Sequence, residues 1–298
     1  MDPSFAEFAA HAYTEAGLDR ADPLRQDPTA LAALWPCARV MRLDARLRAV
    51  VDAAGNWCDH AGRADVLPAE ALFLGVDRTD QVPWFACIDA HAEAEPLLEL
   101  RQAASQWPVA LAARFAYARA MLSWQQRTRY CTACGASLVM EKAGFVARCS
   151  GCAIEHYPRV DPAVIVAVEH DGRLLLGRQP GWAPLRHSLI AGFVEPGETP
   201  EQAVVREVHE ETRIHIEPAS CHYLGAQPWP FPGALMLGYA ATALGGEPEV
   251  DGELEQALWL DHAGVGLALA GQHPQVELPP PLSIARSLIA HWYDRRRR

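Results

Sequence analysis

The chain has 298 residues, half of them hydrophobic, which is enough for one large core or two ordinary ones. Its 37 acidic side chains outnumber 26 basic ones, and the net charge of −11 argues against a protein that coats nucleic acid through its phosphates. No uncharged apolar run is long enough to span a bilayer, and Met1-Asp2-Pro3-Ser4 does not open a basic-then-apolar leader, so a soluble, cytoplasmic chain with no membrane partner is expected.

Residues 1 to about 30 are polar and mixed and read as a loose arm with a short helix. Between Cys37 and Ala90, the runs Ala38–Leu43, Ala71–Gly75 and Val82–Ile88 are short, apolar and broken by Asp and Gly, as strands of a small sheet are. Pro96 to Gln126 carries a helical pattern with a break at Trp107-Pro108. Its stripe of Leu111, Phe115, Ala118, Met121 and Leu122 is a packing face. Cys37, Cys58, Cys87 and Cys221 are scattered and expected to be buried thiols.

The other four cysteines form two knuckles, Cys131-x2-Cys134 and Cys149-x2-Cys152, separated by 14 residues. In a cytoplasmic chain this spacing favours a structural zinc ribbon over disulfides or a redox pair, and four thiolates would close the site to water and substrate. Beyond it, Ala163–Val168 reads as a buried strand, Asp171-Gly172 as a hairpin turn into Arg173–Leu176, and Leu189–Gly192 as the stretch that delivers the chain to the next helix. Cys221–Leu224, Ala234–Ala240 and Ala257–Leu260 are strands too, and Ser283 to about Tyr293 is an amphipathic helix. Arg295–Arg298 reads as a solvated tail.

Between these strands lies the stretch from Gly192 to Ile214. Thr199 suits a helix N-cap, Pro200 the first helical position, and Gln202 completes a capping box. Glu207, Glu210 and Glu211 then stand at i, i+3 and i+4, so three carboxylates share one face, with Arg206 able to pair with Glu210. A solvated acidic face is the alternative, but G-x5-E-x7-R-E-U-x-E-E, with U aliphatic, has six fixed positions. Chance would match it on the order of 10⁻⁸ to 10⁻⁷ per starting point. Hard oxygen ligands grouped in this way suit Mg²⁺ or Mn²⁺.

This stretch resembles the Nudix box, the metal-binding motif of hydrolases that cleave nucleoside diphosphates linked to another group. One position departs, because Arg213 stands where the family has a left-handed C-cap glycine. The ribbon, Tyr157-Pro-Arg-Val-Asp-Pro162, the Nudix box and Gln227-Pro-Trp-Pro-Phe-Pro232 together resemble the NADH pyrophosphatase family, which also removes NAD caps from RNA. The likeness covers roughly residues 105 to 292. It implies an α+β chain with a small β-rich N-terminal domain and helix (1–125), a four-cysteine zinc ribbon (126–157) and a C-terminal Nudix α/β/α sandwich (158–298).

Carried over position by position, the resemblance gives Glu207, Glu210, Glu211, Glu253 and the carbonyl of Ala191 to the divalent ions, and Cys131, Cys134, Cys149 and Cys152 to zinc. Phe193 and Tyr157 match the aromatic pair that sandwiches nicotinamide, the tyrosine coming from the second subunit of a homodimer. Gln227, Pro228, Trp229, Pro230, Phe231, Pro232, Gly233 and Ala234 line the nicotinamide-nucleotide side, and Ala285 supplies a backbone contact. Ala226 and Ala234 stand where the family's flanking serines would be, which removes two hydroxyl contacts. On composition alone, the three prolines alternating with Trp and Phe suit a packed connector equally well.

The implied reaction is hydrolysis of NADH, NAD⁺ or the NAD cap of RNA to AMP and nicotinamide mononucleotide. Glu211 or Glu210 would act as base, Arg206 would hold a glutamate in place, and Glu198 would orient the loop or join a metal through water. Three rivals remain: a Nudix hydrolase acting on ADP-ribose or a dinucleoside polyphosphate, a non-catalytic nucleotide-binding regulator, and a zinc-ribbon nucleic-acid binder. The proline-aromatic array opposes the first, the intact carboxylates the second, and the acidic balance the third.

Overall fold

The computed structural model describes residues 12–14, 16–61, 67–68, 70–250 and 252–296, and these fall into two compact units. The expected N-terminal arm up to residue 11 and the last two arginines of the tail lie outside the described residues.

The first unit comprises residues 12–160 with 230–233. A seven-stranded sheet runs in the order β1 (Leu18–Asp19), β5 (Leu72–Asp77), β6 (Pro83–Ile88), β2 (Arg39–Leu43), β3 (Ala49–Val50), β7 (Leu97–Leu98), with β4 (His60–Ala61) paired to β2. The three predicted runs are β2, β5 and β6. Their aromatic residues Phe73, Trp84 and Phe85 are fully buried, each worth about 1.5–3 kcal/mol of transfer free energy. A short helix, α1 (Pro28–Leu34), is capped by the Asp27 carboxylate. Helices α2 (Leu100–Gln106) and α3 (Val109–Arg127) meet at Trp107-Pro108, where the proline cannot continue the first helix. From the predicted stripe of α3, Phe115, Ala118, Met121 and Leu122 are buried and Leu111 is half-buried.

The ribbon is a three-stranded sheet, β8 (Leu138–Glu141), β9 (Val146–Cys149) and β10 (Glu155–His156), in the order β10-β9-β8. The four scattered cysteines are not buried as expected: Cys37 is exposed and Cys58, Cys87 and Cys221 are half-buried. Cys37 ends a short 3-10 turn at the surface, where its thiol donates to the Leu34 carbonyl.

The second unit is built on β11 (Asp161–His170), β12 (Arg173–Arg178), β13 (Ile190–Phe193), β14 (His222–Trp229), β15 (Ala234–Thr242) and β16 (Gln256–Asp261). The order is β14-β15-β11-β12-β16. On its other edge, β11 pairs with β13 over Ala163–Val166 and with β12 only at Glu169 and His170. Asp171 and Gly172 both have positive φ, as a two-residue hairpin turn between twisted strands demands.

Side chains alternate along β11. Val164, Val166 and Val168 pack with Ala203, Val204 and Val208 of α4 (Pro200–Thr212). Ile165 and Ala167 pack on the opposite face with α5 (His262–Leu269) and α6 (Ile284–Arg295). Helices therefore cover both faces of a mixed sheet, the expected α/β/α sandwich. Part of the proline-aromatic array is strand rather than connector. Gln227, Pro228 and Trp229 belong to β14 and pair with Met236, Leu235 and Ala234, leaving Pro230–Gly233 as the tip. Pro228 is tolerated because β14 is an edge strand.

Candidate active site

Helix α4 starts as the sequence predicts. The Thr199 hydroxyl accepts from the Gln202 N–H, while the Gln202 side chain accepts from the Thr199 N–H. The helix brings its carboxylates to the end of β13. A Cβ on Gly192 would lie 1.9 Å from the Glu207 carboxyl carbon, so the glutamate occupies the space a side chain there would need. Ala191, whose carbonyl is the predicted oxygen ligand, precedes it on the same strand.

Arg206 organises the acidic groups. Its Nε lies 2.6 Å from Glu198 Oε1, its Nη1 is 2.9 Å from both Glu207 Oε1 and Glu210 Oε2, and its Nη2 donates to the Phe193 carbonyl at 2.8 Å. One guanidinium thus ties the loop, the strand end and the helix together. One positive charge against three glutamates leaves two negative charges over, and Glu211, on the same helix face, is only 4% exposed.

The electrostatics follow from this crowding. Arg206, helped by the Glu195 N–H, pulls the Glu198 carboxyl down to about 2. Burial pushes Glu207 above the ordinary carboxylate range against the pull of Arg206, and the charges of Glu210 and Glu253 add to the push. That coupling brings Glu253, just before β16, into the electrostatic reach of Glu207. The carboxylates are not drawn together as the cysteines are; among the described residues only the thiolates form a group of three or more ligand atoms within 4.8 Å. A divalent cation would match both the hard oxygens of the glutamates and their excess charge.

The four cysteines have the geometry of a zinc site. Their Sγ atoms lie 3.7 Å (Cys131–Cys152), 3.3 Å (Cys134–Cys149) and 3.5 Å (Cys134–Cys152) apart. A disulfide holds its sulfurs at about 2 Å, whereas Zn–S bonds of about 2.3 Å in a tetrahedron put them near 3.8 Å. Backbone N–H groups of Ala133 and Cys134, with the His156 ring, hold the Cys131 thiol down to about 6, which favours the thiolate a metal needs.

The aromatic candidates divide. Phe193 is 58% exposed and Tyr157 46% exposed, each displayed to solvent in its own unit. Tyr157 donates its phenol proton to Glu155, which is itself held by Arg148 across the β9–β10 pair. Phe231 is half-buried instead, with the Arg101 and Arg119 guanidiniums 4.5 and 5.0 Å from its ring centroid and Tyr13 edge-on at 6.0 Å. Arg119 also donates to the Pro230 carbonyl. Packing accounts for this ring, as the connector alternative allows.

Gln227 is fully buried; its Nε2 donates to the Leu282 carbonyl and its Oε1 accepts from the Ile284 N–H, both at 2.8 Å. The side chain fixes the start of α6, where Ala285 lies, and Ser283 caps that helix through the Arg286 N–H. Two supporting features are not readable from the sequence pattern. Gly192 opens the motif, but its role as a seat for Glu207 appears only in the strand–helix approach. The Arg148–Glu155–Tyr157 chain depends on cross-strand register, which spacing does not reveal.

Residues 158–278 match the NUDIX domain model. The NAD-capped RNA hydrolase NudC of Mycobacterium bovis (strain BCG / Pasteur 1173P2) is 38% identical over 93% of this chain and 92% of its own length. NudC of Mycobacterium tuberculosis (strain ATCC 25618 / H37Rv) is 37% identical with the same coverage. The NAD-capped RNA hydrolase NUDT12 of Homo sapiens is 37% identical over 69% of this chain, which spans 45% of that protein.

Proposed function

The chain belongs to the Nudix family, in the branch of the NAD-capped RNA hydrolases, and we propose that it hydrolyses the pyrophosphate bond of NAD(H) and of NAD caps on RNA. The products are AMP, free or at the RNA 5′ end, and nicotinamide mononucleotide. The observation that carries this reading is the 38% identity to NudC over nearly the full length of both proteins. The geometry adds a carboxylate cluster with unmet charge at a strand–helix junction.

Glu207, Glu210, Glu211, Glu253 and the Ala191 carbonyl would hold Mg²⁺ or Mn²⁺, which when bound would neutralise the phosphate oxygens and acidify water. Arg206 keeps Glu207 and Glu210 presented together and locks the Glu198 loop against the helix. A carboxylate oxygen of Glu211 or Glu210 takes the proton of the attacking water. The water oxygen bonds to phosphorus while the bridging P–O bond breaks in line. Exposed Phe193 and Tyr157 are the two faces for the nicotinamide ring, the tyrosine coming from a second copy of the chain. The array from Gln227 to Ala234 acts through its backbone and Trp229, with Phe231 and Gln227 as its anchors. Cys131, Cys134, Cys149 and Cys152 would hold Zn²⁺, which when bound would staple the ribbon that carries Tyr157.

The test is a substrate panel of NADH, NAD⁺, NAD-capped RNA and ADP-ribose with and without Mg²⁺ or Mn²⁺. Metal-dependent release of nicotinamide mononucleotide is the expected result. A preference for ADP-ribose would move the protein to the nearest rival.

A further inference from the structure

A cleft of about 470 Å³ opens in the second unit, apart from the carboxylate helix in its lining residues. Its walls come from the segment after β12 (Leu185, Arg186), the end of α5 (Ala268), residues 271–281 and the first turn of α6 (Arg286). The frame is preformed. The Glu277 N–H donates to the Leu185 carbonyl at 2.7 Å and the His187 N–H to the Glu277 carbonyl at 2.9 Å. Val276, Leu278 and Ala268 are buried, and Pro279, Pro280 and Pro281 stiffen one side.

The ionisable groups lining this cleft are Arg186, Arg286, His273 and Glu277. Arg186 Nη2 pairs with Glu277 Oε1 at 2.6 Å, while its Nε is buried with no hydrogen-bond partner. Arg286 donates Nη2 to the Leu269 carbonyl at 2.6 Å and meets no carboxylate among the described residues. Burial alone lowers its pKa, with no acid opposing the shift. Two arginines against one glutamate leave the cleft at +1 on a chain whose net charge is −11. A half-buried guanidinium facing a cleft without an anion is costly unless something negative occupies the space. Two guanidinium forks in one cleft suit the tetrahedral oxygens of phosphate.

We propose that the Arg186–Arg286 cleft is a phosphate-binding site. Two sources have this chemistry: a phosphodiester of the RNA that follows the cap, or free phosphate. Arg286 directly follows Ala285, the predicted backbone contact to substrate, which favours the first. That assignment rests on the NAD-cap reading; NADH hydrolysis by the unaltered protein tests that reading separately.

The experiment compares the unaltered protein with Arg286→Gln and with Arg186→Gln/Glu277→Gln, the second leaving no stranded carboxylate. Each is assayed on NADH and on an NAD-capped oligoribonucleotide, and its melting temperature is read with and without inorganic phosphate at constant ionic strength. With RNA as the source, KM for the capped oligonucleotide rises about tenfold and its salt dependence falls by about one ion per arginine, while NADH kinetics stay unchanged. With free phosphate as the source, phosphate raises the melting temperature of the unaltered protein and not of the variants, and the kinetics on both substrates stay unchanged. The Leu269 contact makes Arg286→Gln the riskier fold; should it melt early, the paired variant decides between the outcomes. Folded variants that match the unaltered protein on both substrates and in phosphate overturn the proposal, as does an equal loss on NADH and capped RNA.

Discussion

At Gly192 the smallest side chain would collide with Glu207, so strand and acidic helix meet through that absence. Gly192→Ala should displace the carboxylate by about 1 Å and lower turnover about 100-fold while the fold survives. The check is NADH turnover against Mn²⁺ concentration beside a circular dichroism spectrum; unchanged turnover would refute the seat. Glu211 is the enclosed carboxylate, and Glu211→Gln, which keeps its shape, should lower AMP release by about 10²- to 10⁴-fold in a folded protein. An active Glu211→Gln protein would remove the proposed base and ligand together. The glutamates could be found from spacing because i, i+3 and i+4 share a face in any helix. Gln227 could not be assigned in that way, since its two hydrogen bonds reach residues 55 and 57 positions away.

Helix α4 carries its own exception at the exit. Arg213 adopts φ 60° and ψ 8°, the left-handed conformation that the family's glycine would take without strain. The backbone thus keeps the family's C-cap and accepts a cost of about 1 kcal/mol for a side chain there. Arg213→Gly should raise the denaturation midpoint by a corresponding amount, and a lowered midpoint would show that the arginine's own contacts matter more. At the entrance, Arg206 holds Glu198 near a pKa of about 2, below the ordinary glutamate value of about 4.3. A depressed carboxyl stabilises above its unfolded pKa, and that stability is lost as pH falls through the folded one. The stability gap between the unaltered protein and Glu198→Gln should therefore be full at neutral pH and close between about pH 4.3 and 2. A gap unchanged across that window would contradict the clamp. In the ribbon, stripping metal with a chelator should make four more thiols reactive and loosen β8–β10, seen as lost amide protection there. Thiol counts unchanged by chelation would exclude a bound metal.

Across the whole molecule, the second unit follows closely from its sequence because each β11 position repeats one local rule, apolar on alternate faces under helices. The parallel pairing of β11 with β15 and the split edge shared by β12 and β13 are long-range choices that no local pattern encodes. The proline-aromatic array shows the same limit. Its composition suggests a packed connector, yet pairing with β15 makes half of it strand, and the Tyr13 ring and the Arg101 and Arg119 guanidiniums around Phe231 are remote in sequence. No helix among the described residues is long and apolar enough to cross a membrane. The central claim is that this acidic helix serves cleavage of the NAD pyrophosphate. The direct measurement is steady-state kcat/KM on NADH, NAD⁺, NAD-capped RNA and ADP-ribose with Mg²⁺ and Mn²⁺, with products identified by mass. Metal-dependent formation of AMP ends and nicotinamide mononucleotide, at least about tenfold favoured over ADP-ribose cleavage, is the expected result. Absent turnover of every nicotinamide substrate, or faster cleavage of ADP-ribose, would contradict it.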